Sequence, residues 1–380
     1  MKTLKKLTSI FIRLGLILLI VILLVVFNQL RKNSDIANAW SDSFARGYQT
    51  FFGKISALVP FSLMECLIIA LVVFTIITIV LFIIDFVKLK WIKGVSKILT
   101  AVLIYLLVGL SYQVSCEFNY SRDEVPLDYY DGELIKSDYK KIVNYFLDDF
   151  NYCSSKLTYL ENGEVVSPYS LDEVNRIALE EYKKLDDPYF YDRSVKAKPM
   201  FLSFLYREFQ ITGVYFAPFG EVNINTMATN GEIAFNVCHE LAHSKGVMRE
   251  NDAQNVAAFI TLNSDDYFFR YSGYINTFSS IFSIINYTGD SNDKAEASSK
   301  IDSNITRNLS YINKYWSGHD LLGKVGNWIN NLYIKMLGGS GTTDYNDTPI
   351  TINPSTNEIT SLSNYQKLYF AKYYENVSKS

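Results

Sequence analysis

The sequence predicts an α-rich α+β protein in which three N-terminal transmembrane helices precede a mostly helical domain with one short strand. Three observations lead there. Long apolar runs crowd the first third of the 380 residues, and beyond them apolar positions recur at helical spacing. The alternating run GEVNIN (220–225) then stands just ahead of a helix carrying two of the chain's three histidines. Net charge is −3 with a pI near 5.8, so nothing suggests binding to nucleic acid.

The membrane anchor comes first, over residues 1–112. Its first apolar run, LGLILLIVILLVVF, extends over about 10–30 if Arg13 snorkels; the second fills about 63–84 and the third 95–112. Crossing a hydrocarbon core takes about 20 residues, which these runs approach or exceed. No small-residue cleavage site separates the first run from the second, so it reads as an anchor rather than a signal peptide. Lys2, Lys5 and Lys6 precede the first span, and Lys88, Lys90, Lys93 and Lys97 crowd the short second loop. The first loop is longer, and its Arg31, Lys32, Arg46 and Lys54 are diluted by Asp35 and Asp42. The denser clusters belong in the cytoplasm, which puts everything from residue 113 outside the cell membrane.

Residues 113–135 read as an acidic linker, 136–338 as the main domain, and 339–380 as a polar loop with a C-terminal helix. A helix from Lys136 lines up Ile142, Tyr145, Phe146 and Phe150, and Ser170 with Glu173 forms a capping-box pattern at the start of another. Cys66, Cys116, Cys153 and Cys238 are scattered without CxxC spacing, so a cysteine metal cluster is not expected. A Cys116–Cys153 disulfide and two free thiols both remain open.

The chemistry concentrates in FNVCHELAHSKGVMRENDAQ. Asn230 can cap a helix over 231–248 and Gly246 can end it. On that helix His239 and His243 project from one face a turn apart, a separation suited to two nitrogens on one tetrahedral Zn²⁺. Glu240 cannot share the ligand face but can reach a water from the side as general base. With three histidines in the chain, composition alone yields HExxH on the order of 10⁻³ times per sequence. The bland alternative is two exposed histidines paired with Glu240 or Glu250.

A third ligand is required, and Glu250, Asp252 and His319 are the candidates. Gly246 lets the chain reverse so that Glu250 faces back, and the small Ala253, Val256 and Ala257 let the two helices pack closely. Asp252 then orients a histidine, or is itself the ligand. Tyr215 is one of many tyrosines able to stabilise an oxyanion. GEVNIN offers an edge strand for an extended peptide, or a plain sheet strand. An intramembrane site is excluded, because Lys245, Arg249, Glu250 and Asp252 would be costly in lipid.

At these residues the chain resembles an uncharacterised bacterial family of multi-span membrane proteins, known only as a domain of unknown function, with an HExxH signature. LVPFSLMECLII is similar to that family's lead-in to the second span, GVYFAPFGEVNIN to its strand, and HELAHSKGVMRENDAQ to its metal block. Glu250-x-x-Ala253 is also similar to the Glu-x-x-Ala-Asp/Asn element of gluzincin membrane peptidases, although Gln254 stands where Asp or Asn is usual. The resemblance implies a zincin-like domain with Glu250 as third zinc ligand. The resulting expectation is a zinc metallopeptidase acting on peptides or proteins. The alternative is an inactive zinc-binding membrane sensor or assembly factor. Oligomeric state is not legible.

Overall fold

The computed structural model describes residues 2–337, 339, 341–345 and 347–378. Gly338, the expected end of the main domain, lies outside the described residues. The chain divides into two compact units, Met1–Asp123 with Phe216–Glu221, and Glu124–Tyr215 with Val222–Ser380.

The first unit is built on helices α1 (Lys2–Leu30), α2 (Leu63–Val87) and α3 (Trp91–Ser115). All three are long and apolar enough to cross a membrane, and they mark a membrane protein. Their apolar side chains point outward, as with Leu18 and Ile76, which suits lipid and not water. Both α1 and α2 pack on α3. Arg13 donates from Nε to Thr100 Oγ1 at 3.0 Å, and Gln113 Nε2 donates to the Leu24 carbonyl at 2.9 Å. The third helix begins at Trp91 rather than 95, because the loop reverses tightly through Leu89 (φ 53°). Ser62 caps α2, and the Glu221 carboxylate accepts the Leu63 and Met64 N–H groups, each at 3.0 Å. A negative charge there complements the helix dipole. Beyond α3, Cys116, Phe118 and Tyr120 are buried, and Phe118 stacks on Trp40 at 4.8 Å. The stretch expected as a linker therefore starts inside this unit.

The second unit is mostly helical. Helix α4 (Tyr139–Ser155) buries Phe146 and Phe150 against Tyr271 and Tyr274 of α8 (Tyr267–Phe282) and Tyr369 of α10 (Asn364–Ser378). Such edge-on aromatic pairs account for part of the chain's heavy tyrosine use. Helix α5 (Leu171–Tyr182) starts at the Ser170–Glu173 capping box that the sequence predicts. Helices α6 (Ile233–Ser244) and α7 (Glu250–Leu262) pack together, with Ala253, Val256 and Ala257 fully buried. Helix α9 (Gly323–Leu337) precedes a short hairpin and α10, whose Tyr369 and Phe370 are fully buried, so the tail is integral to the core. All four cysteines are free thiols, and the disulfide option falls.

A three-stranded sheet comprises β1 (Ala197–Pro199), β2 (Gly213–Phe216) and β3 (Glu221–Ile224) in the order β1-β3-β2. β1 runs parallel to β3 with Ala197 opposite Val222. Of the two readings of GEVNIN, the plain sheet strand holds: it is the central strand, buried at all four positions. The edge near α6 belongs to β2.

Candidate metal centre

The turn between α6 and α7 builds the site. Gly246 adopts the left-handed region (φ 93°), its N–H bonds the His243 carbonyl, and the Val247 N–H reaches back to the Ala242 carbonyl at 3.2 Å. This pair of bonds is a Schellman C-cap, which a residue with a Cβ closes at a cost. It brings the Val247 carbonyl onto His243 Nδ1 at 2.8 Å. An Nδ1 proton donated there leaves the Nε2 lone pair for a metal.

Glu250, first residue of α7, then meets both imidazoles. His239 Nε2 and His243 Nε2 lie 3.2 Å apart, and Glu250 Oε2 is 3.3 Å from each. All three residues are buried, and together they could hold a metal ion. Glu250 Oε2 has no well-formed hydrogen bond, as expected of an oxygen aimed at a cation. Burial acts to raise the Glu250 carboxyl, but His243 and His239 outweigh it and hold it down to about 2. Burial acts to lower His243, but Glu250 and then Glu240 carry it up to about 9. A cation would replace that proton in balancing the buried carboxylates.

Glu240 lies against β2. A Cβ built on Gly213 would fall 2.6 Å from Glu240 Oε1, so the carboxylate occupies space that only glycine leaves. The Tyr215 backbone N–H also binds it. Burial pushes the Glu240 carboxyl up, against the lowering pull of the two histidines and Tyr215. Gly213→Ala is accordingly expected to shift Glu240 without touching a ligand. Bound metal should stay equal to the parent while any Glu240-dependent reaction falls at least about tenfold, for a displacement of about 1 Å. Metal analysis beside a rate measurement tests this, and an unchanged rate would contradict it.

Other sequence candidates lie elsewhere. Asp252 pairs with Arg249 and orients neither histidine, correcting the expectation of a carboxylate partner. Gln254, at the gluzincin-like position, contacts Tyr365 instead. His319 Nδ1 sits 3.0 Å from Glu208. The Cys238 thiol is fully buried, and that burial pushes its ionisation well up. Tyr215 is near, its ring 6.3 Å from that of His243, with its hydroxyl accepting from Arg193 Nη1 at 2.9 Å. Sequence reasoning missed Gly213 and Val247, and it also missed Tyr345, whose ring lies 6.2 Å from that of His239. No local pattern marks any of them.

The sequence model of the family described as "Protein of unknown function (DUF3810)" matches residues 40–350. The chain belongs to this family. The DUF3810 match takes in α2, α3, the sheet, both metal-site helices and Tyr345. No curated protein and no solved structure matches the chain.

Proposed function

We propose that this chain is a membrane-anchored zinc metallopeptidase with its main domain outside the cell membrane, cleaving peptide or protein substrates. The observation that carries the reading is Glu240, a buried carboxylate fixed beside a buried His-His-Glu triad without belonging to it. Zinc suits the donor set: tetrahedral bonds of about 2.0–2.1 Å need ligand atoms about 3.3 Å apart. His239, His243 and Glu250 would be the ligands, leaving one position open. Bound there, zinc would lower the pKa of a water toward neutrality and polarise a peptide carbonyl. Glu240, its proton affinity raised by burial, takes a proton from the attacking water and passes it to the leaving amine. As an edge of the sheet, β2 gives an extended peptide a backbone to pair with, next to Glu240. The lysine-rich loop between α2 and α3 supports the outward orientation.

A second reading, a zinc-binding sensor or assembly factor without hydrolysis, draws on the near-complete burial of the site, with His239 at 7% and Glu240 at 5% exposure. Metal analysis of the full-length protein in detergent separates the two, alongside a peptide-library screen with and without chelator. Stoichiometric zinc and chelator-sensitive cleavage restored by zinc are expected. Zinc without cleavage would favour the sensor, and absence of bound metal would sink both. A reporter fused after Tyr112 should be inactive in the cytoplasm; activity there would overturn the orientation.

A further inference from the structure

The C-terminal segment, which no sequence motif connects to the histidines, reaches the metal centre. Gly341 turns the chain in a conformation that L side chains rarely adopt (φ 112°), and a Cβ there would meet Asn331 Oδ1 at 2.0 Å. The short turn Thr342–Tyr345 then delivers Tyr345 to the site. Its ring lies 6.2 Å from the His239 ring at a 32° tilt. Its hydroxyl oxygen accepts from Asn330 Nδ2 of α9 at 3.3 Å, which directs the hydroxyl proton the other way. On that side lies the Glu250 carboxylate, whose charge adds to burial in pushing the ionisation of the phenol well up.

We propose that Tyr345 is a positioning residue of the metal centre: held by Asn330, its phenol donates to Glu250 and fixes the carboxylate so that Oε2 faces both imidazoles. The inference rests on the reading of His239, His243 and Glu250 as metal ligands. A ligating carboxylate free to rotate must be ordered by the metal itself, and that ordering weakens binding. Asn330 and Tyr345 then belong to the wall of the site. The chemistry at stake is divalent-cation affinity, not a second site.

Zinc affinity of the full-length protein in detergent, measured by competition with a chromophoric chelator, tests this. Tyr345→Phe keeps the ring against His239 and removes only the hydroxyl. It should weaken zinc binding about 10–100-fold with the melting temperature of the metal-free protein unchanged. Equal affinity of Tyr345→Phe and the parent would overturn the role. Should Tyr345→Phe fail to fold, Asn330→Ala, which loosens the anchor alone, decides: weaker zinc binding supports the proposal, unchanged binding overturns it. A parent protein that binds no zinc would overturn the metal-site reading along with it, an outcome distinct from tight binding by both proteins.

Discussion

On the proposed reading, Glu240→Gln is expected to remove hydrolysis almost entirely while leaving the metal in place. A positioned general base contributes about 10²–10⁴-fold, and a glutamine cannot take up the proton. The substitution preserves shape, which matters here because Glu240 fills the space left by Gly213. The glutamine carbonyl can still accept the Tyr215 N–H, so the side chain has reason to stay where it is. Neither His239, His243 nor Glu250 loses a partner that the metal depends on. The measurement is kcat/KM on a cleaved peptide together with zinc per chain. Full zinc with a rate down by that factor supports the base. Full zinc with an unaltered rate would remove Glu240 from the chemistry and leave the triad as a binding site.

What could be read from the sequence was local. Hydropathy alone marks α1, α2 and α3, because lipid imposes its condition on each segment separately. Helical periodicity places His239 and His243 on one face, and Gly246 permits the reversal that presents Glu250. Those inferences need only the geometry of a helix and a turn. The rest depends on which segments become neighbours, and periodicity carries no such information. Residues 221–224 have the alternation of a strand, yet the pairing with Ala197–Pro199 makes it central rather than an edge. Asp252 was a reasonable partner for a histidine by spacing, but Arg249 three residues back captures it, and the Schellman turn hands His243 a backbone carbonyl instead. Gly213 matters for the carboxylate it leaves room for, and Tyr345 for the imidazole of His239, whose ring it faces. Both are contacts between distant segments.

His243→Ala is expected to abolish the dependence of stability on metal. A metal that binds only the folded state adds RT ln(1 + [L]/Kd), about 4 kcal/mol when free metal is a thousandfold above Kd. With one of three ligands gone, the remaining His239 and Glu250 form an incomplete set for a tetrahedral ion. The alanine also leaves the Val247 carbonyl without its imidazole donor and Glu250 without the charge that most opposes its burial, so the metal-free variant will be weaker on its own account. The informative quantity is therefore the difference in melting temperature between metal-replete and chelated protein, not either value alone. In the parent that difference should be several degrees or more, and in His243→Ala close to zero. Asp252→Ala is the control: it sits two residues from Glu250 on the same helix, but its carboxylate is turned to Arg249, so the parent's metal response should survive. If His243→Ala kept the full response, or Asp252→Ala lost it, the triad would have been assigned to the wrong side chains, because the metal would then be held by residues other than the two imidazoles and Glu250.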